Sequence, residues 1–94
     1  MILKYGTEII NANDVGNLLI TIEIRNNLSR NTQEKYISIK MESIDVSVIK
    51  FLFNDLNLAE KLIEDIKENY KNGTEFYNIE TKLKQLAEDN NNED

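Results

Sequence analysis

Leu18-Leu19-Ile20-Thr21-Ile22-Glu23-Ile24-Arg25 decides the fold class of this chain. Apolar side chains at 18, 20, 22 and 24 alternate with polar ones at 21, 23 and 25. That is the period of a strand with one buried and one wet face. Lys35 to Glu42 repeats the pattern, with Ile37, Ile39 and Met41 facing in and Tyr36, Ser38 and Lys40 facing out. The polar stretch Asn26 to Glu34 between them predicts an antiparallel hairpin with a long loop. Upstream, residues 2–10 (ILKYGTEII) read as a third strand with Gly6 at a bulge or close approach. Residues 11–17 read as a turn.

Downstream of Ser43 the period changes. Val48, Ile49, Leu52, Phe53 and Leu56 recur at helical steps, and Asp45 or Ser47 is placed to cap that segment. Leu58, Leu62, Ile63, Ile66 and Tyr70 form a second helical face. Asn57 and Glu60 resemble a capping box, which predicts a break near residues 54–57, with one continuous helix as the alternative. Asn72-Gly73 stops this helix, and Thr74 can cap a last one with Phe76, Ile79, Leu83 and Leu86 inward. The expectation is an α+β domain over residues 1–87, a three-stranded antiparallel sheet followed by two or three helices on one face. Leu18, Ile20, Ile22, Ile24, Ile37, Ile39, Ile49, Leu52, Phe53, Leu62, Ile66, Phe76, Ile79 and Leu83 form its expected core. Residues 88–94 are acidic, have no apolar anchor and read as a disordered tail.

Composition narrows the function. The 94 residues include no His, Cys, Trp or Pro, and the net charge is -6. Lacking the commonest general base and the strongest nucleophile, the chain is not expected to be an enzyme or to hold a metal or cofactor. Binding of nucleic acid or an anionic membrane calls for a cationic surplus, so neither is expected as a direct partner. No apolar run approaches the ~20 residues of a membrane span, and no leader is visible, which makes the cytoplasm the expected compartment. Residues 1–47 carry five basic and six acidic side chains, and residues 48–94 six basic and eleven acidic. The acidity therefore sits in the helical half, favouring a protein partner with a basic surface.

Few constellations in the chain carry chemistry. Asn11-x-Asn13-x-x-Gly16 has the outline of a calcium loop, but Val15 and Ile22 occupy ligand positions, so the match fails. Glu60, Glu64 and Glu68 are spaced four apart and fall on one helical ridge, with Asp65 beside them and Glu75 beyond the turn. Carboxylates at ~6 Å steps can imitate part of a phosphate row. The plainer account is a solvated face neutralised by Lys61–Asp65, Glu64–Lys67 and Glu68–Lys71 pairs. Tyr77, one step off the inward face, is expected to be exposed and to anchor an interface. Arg25, Asn26, Asn27 and Arg30 in the hairpin loop are further hydrogen-bonding candidates.

In the order of its elements the chain resembles the small acidic phage-encoded anti-CRISPR proteins that inhibit Cas9. The segments that carry the likeness are Leu19-Ile20-Thr21-Ile22, Tyr36-Ile37-Ser38, Ser47-Val48-Ile49-Lys50-Phe51 and Glu75-Phe76-Tyr77-Asn78. The resemblance implies a three-stranded sheet with helices, acting as an acidic DNA mimic over the site of a CRISPR effector that reads the PAM. In that family a densely acidic run precedes the last motif, whereas this chain has Tyr70-Lys71-Asn72-Gly73-Thr74. It also opens with a strand rather than a helix. The expected function is non-catalytic inhibition of a partner in a bacterial host cell, through Glu60, Glu64, Asp65, Glu68, Glu75 and Tyr77. An immunity protein or antitoxin, and a homodimeric assembly module, are the alternatives.

Overall fold

The computed structural model describes residues 1–11, 18–41 and 48–91, the last two by backbone alone. The expected caps Asp45 and Ser47, and most of the expected turn at 11–17, lie outside the described residues. The fold is α+β, and the described residues form two helices and two three-stranded sheets where a single sheet was expected.

The first sheet begins with β1 (Ile2–Tyr5) and β2 (Glu8–Asn11), joined by Gly6-Thr7 with Tyr5 opposite Glu8. The segment read as one strand is thus a tight hairpin. Gly6 at φ +59 takes the first turn position, where a left-handed conformation lets two residues reverse the chain. The second sheet is a meander of β3 (Leu18–Asn27), β4 (Thr32–Met41) and β5 (Ile49–Leu52). The β3–β4 ladder runs from Leu18↔Met41 to Asn27↔Thr32, so the expected long loop shrinks to residues 28–31. Its Asn31 is at φ +52, a conformation tolerated well by Asn.

Residues 49–52 were expected in a helix and form a strand instead. Ile49 and Phe51 turn inward opposite Ile39 and Ile37, while Lys50 and Leu52 turn outward. Asp55 closes off the helical alternative, because its carboxylate accepts from the backbone N–H of Asn57 (3.0 Å) and Leu58 (3.3 Å). It caps α1 (Leu56–Lys71) two residues before the expected box.

Gly73, at φ +78, ends the turn after α1, and its N–H donates to the Tyr70 carbonyl (3.3 Å). A Cβ added there meets nothing within 4 Å, so the cost of Gly73→Ala is purely conformational. We expect a loss of about 1 kcal/mol, smaller for Gly73→Asn, measured as a shift of the urea-unfolding midpoint. Thr74, expected to cap the last helix, instead binds Asn69, its hydroxyl donating to Oδ1 (2.8 Å) and its N–H to the carbonyl (3.0 Å).

Beyond Thr74 comes β6 (Phe76–Asn78), which pairs parallel to β1 and completes the first sheet in the order β2-β1-β6. α2 (Ile79–Asn91) follows directly, with the Asn78 side chain accepting from the Thr81 N–H (3.1 Å). Glu88 and Asp89, assigned to the tail by sequence, belong to this helix.

One core joins the layers. In the first sheet Ile10, Leu3 and Tyr77 lie side by side, and all are buried. In the second, Ile37, Ile39, Ile49 and Phe51 are buried, with Ile20 and Ile22 beside them half-buried. Ala59, Leu62 and Ile66 of α1 and Ile79 of α2 fill the space over them. Tyr5 stacks on Phe51 with ring centroids 4.4 Å apart, linking the sheets. Three expected core members are outside: Ile24 at 59%, Leu52 at 61% and Phe76 at 55% exposure. Ile24 lies where the hairpin runs beyond β5, and Leu52 and Phe76 sit on the outward phase of their strands. Met1, Leu3, Ile10, Met41, Phe51, Ala59 and Tyr77 take their place. Among the described residues no helix is long and apolar enough to cross a membrane.

Candidate functional site

Three of the six residues singled out by sequence share one face. α1 turns Ala59, Leu62 and Ile66 into the core, which directs Glu60, Glu64 and Glu68 to the opposite side, where all three are exposed. Their i, i+4 spacing sets them about one turn, or ~6 Å, apart. Asp55 and the Asn69–Thr74 bonds hold the helix at both ends, so the row is carried on a fixed axis. No ion pair joins Glu64 to Lys67 or Glu68 to Lys71 among the described residues. Lys67 and Lys71 are nevertheless exposed on the same outward arc, so the row is acidic without the whole face being so.

The other three residues are placed differently. Glu75 is exposed in the segment between α1 and β6, its backbone carbonyl accepting from the Ile2 N–H (2.7 Å). Tyr77 is not the exposed anchor expected. It is 1% exposed, lies next to Leu3 in the sheet and donates its hydroxyl to the Asp65 carboxylate (2.6 Å). The ammonium of Lys82 sits 5.9 Å from its ring centre. Burial, and then the bond to Asp65, push the Tyr77 hydroxyl well above the ordinary tyrosine range. Asp65 is therefore committed to tying α1 to the first sheet. The misplacement follows from the pairing with β1: it makes residues 76–78 a strand, whose two-residue period exchanges the faces of Phe76 and Tyr77 that a helix would give.

The outward face of the second sheet holds a charged group that escaped sequence reasoning. Glu23 and Lys50 form an ion pair (2.7 Å), and Lys50 and Arg25 lie 5.0 Å and 5.7 Å from the centre of the Tyr36 ring. Tyr36 donates to Glu34, which holds that carboxyl below its usual range, and Lys50 does the same for Glu23. Alternation places Glu23, Arg25 and Tyr36 outward, but Glu34 reads as loop and Lys50 as helix, and it is the pairing of β5 with β4 that brings Lys50 across. At the hairpin tip, Asn27 Oδ1 accepts from the Ser29 hydroxyl (2.8 Å) and the Arg30 N–H (3.3 Å). Its polar groups thus bond largely to one another. A groove of about 380 Å³ runs between Phe53, Leu58 and Leu83, rimmed by Asp55 and Lys84.

Among the described residues no group of three or more Asp or Glu side chains converges as a metal site. The fold and its surfaces define a small acidic α+β protein with an exposed carboxylate row on a capped helix. No family model, no curated protein and no solved structure matches the chain.

Proposed function

We propose that this protein is a non-catalytic inhibitor that covers a basic nucleic-acid-binding site on a partner protein, in the manner of a phage anti-defence protein acting on a CRISPR effector. The observation that supports it is the exposed row Glu60, Glu64 and Glu68 on a helix anchored at both ends. Such a row presents charge at regular steps without needing to order flexible chain on binding. A partner groove rich in Lys and Arg is drawn to it from beyond contact range. Because Lys67 and Lys71 share the arc, recognition depends on the row and not on the net charge of the face. Glu75 adds a carboxylate beyond the end of α1, while Asp65 and Tyr77 serve the scaffold.

Capture from a host lysate tests this directly, with the wild-type chain and the E60K/E64K/E68K variant immobilised side by side. The expected result is retention by the wild type alone of a protein whose own nucleic-acid binding is blocked in the complex. A captured partner without a basic groove, or equal retention by the variant, overturns the proposal. A toxic enzyme in the wild-type lane would identify an immunity protein or antitoxin instead.

A further inference from the structure

The open edge of β3 has a self-complementary charge pattern. In the order β3-β4-β5 no described strand lies on its free side. The phase of its backbone follows from β4, where the Lys35 and Ile39 carbonyls accept from the Phe53 and Val48 N–H groups of the β5 side, each at 3.0 Å. Odd-numbered residues of β4 therefore turn toward β5, and Tyr36, Ser38 and Lys40 toward β3. Those three face Glu23, Thr21 and Leu19, which leaves the N–H and C=O groups of Ile20, Ile22 and Ile24 directed at the free edge. Ile24 is 59% exposed and lies on the inward face, where the hairpin has outrun β5.

We propose that this edge pairs with the same edge of a second copy of the chain, antiparallel about a two-fold axis at Ile24, giving a continuous six-stranded sheet. Inward faces must meet inward faces, so the axis passes through a residue of β3 and the registers are few. An axis at Glu23 sets two glutamates against each other, and one at Arg25 does so with two arginines. An axis at Ile22 sets Glu23 opposite Thr21 and Arg25 opposite Leu19. Only an axis at Ile24 places Glu23 opposite Arg25, and by symmetry does so twice. It also brings the two exposed Ile24 side chains together. Both charges already lie along the outward face, Glu23 held by Lys50 (2.7 Å) and Arg25 near Tyr36. Charge on an edge usually prevents pairing. Here opposite charges flank an apolar residue at equal spacing, and the same spacing admits one register and opposes its neighbours.

The chain has no cysteine, so a single introduced thiol reports the register. Ile22→Cys, Glu23→Cys and Ile24→Cys are oxidised separately, alongside sedimentation of the wild type over a concentration series. A concentration-dependent dimer is expected, with disulfide yield highest at position 24, the one place where a residue faces its own copy at ~5.5 Å between Cα atoms. Glu23→Arg or Arg25→Glu alone should weaken association about tenfold or more, and E23R/R25E should restore it. Circular dichroism checks that each variant is folded. A monomer at every concentration overturns the proposal, as does a dimer with no preference for position 24 or no response to single reversals.

Discussion

Tyr77→Ala is expected to lower stability by about 3–5 kcal/mol, the range for deleting a buried aromatic side chain. Tyr77 is 1% exposed between Leu3 on β1 and the start of α2, and its hydroxyl bond to Asp65 links β6 to α1. Removing it leaves a cavity where the first sheet meets both helices. Since domains of this size hold only about 5–15 kcal/mol in total, the variant should sit near the edge of folding. Tyr77→Phe keeps the ring and loses only the hydrogen bond, for about 1 kcal/mol, because half-buried Asp65 can turn to water. Urea titration separates the two variants, and a loss below about 1 kcal/mol for the alanine would mean that β6 is not docked. The same residue sets an alkaline limit. Its folded-state affinity for the proton is raised, so its contribution is complete below the unfolded tyrosine range near pH 10 and declines as pH rises above it. The unfolded chain ionises there first, and stability should fall with pH at up to one proton's slope, an effect reduced in Tyr77→Phe.

Reversing two of Glu60, Glu64 and Glu68 to Lys should weaken binding to the proposed basic partner by about 2–5 kcal/mol. Each reversal removes an attraction and adds a repulsion at the same point of the groove. The fold should be unaffected, since all three side chains are exposed and surface charges contribute little to stability. Removing like charges at i, i+4 spacing can raise helix stability by a few tenths of a kcal/mol per pair. Affinity should also fall steeply with salt, as charges farther apart than ~8–10 Å are screened at physiological ionic strength. Calorimetric titration at low and high salt measures both effects. Affinity that is flat in salt and indifferent to the reversals would sink the mimicry mechanism, and would move attention to the β3 edge and the groove beside Phe53.

Much of the second sheet was legible before the structure. The alternation at 18–25 and 35–42 gave the hairpin and the inward set Ile37, Ile39 and Met41, because a strand buried on one face must repeat every two residues. The helical spacing of Leu62 and Ile66 gave the inward stripe of α1, and with it the outward row of glutamates. Both signals are long enough for one period to exclude the other. The short segments were not. Val48, Ile49, Leu52 and Phe53 fit a helix as well as Ile49 and Phe51 fit a strand, and four residues cannot separate the two periods.

What the chain determined alone was therefore every element whose hydrophobic period repeats several times, together with the placement of its acidic excess on the helical half. The tertiary structure decided the rest. β5 is a strand because β4 presents it with Ile37 and Ile39, and β6 is one because β1 lies alongside it. A strand of three or four residues gains its hydrogen bonds and its burial only from a neighbour distant in sequence. That dependence is why Tyr77 fell in the core and Phe76 in water, and why one expected sheet became two.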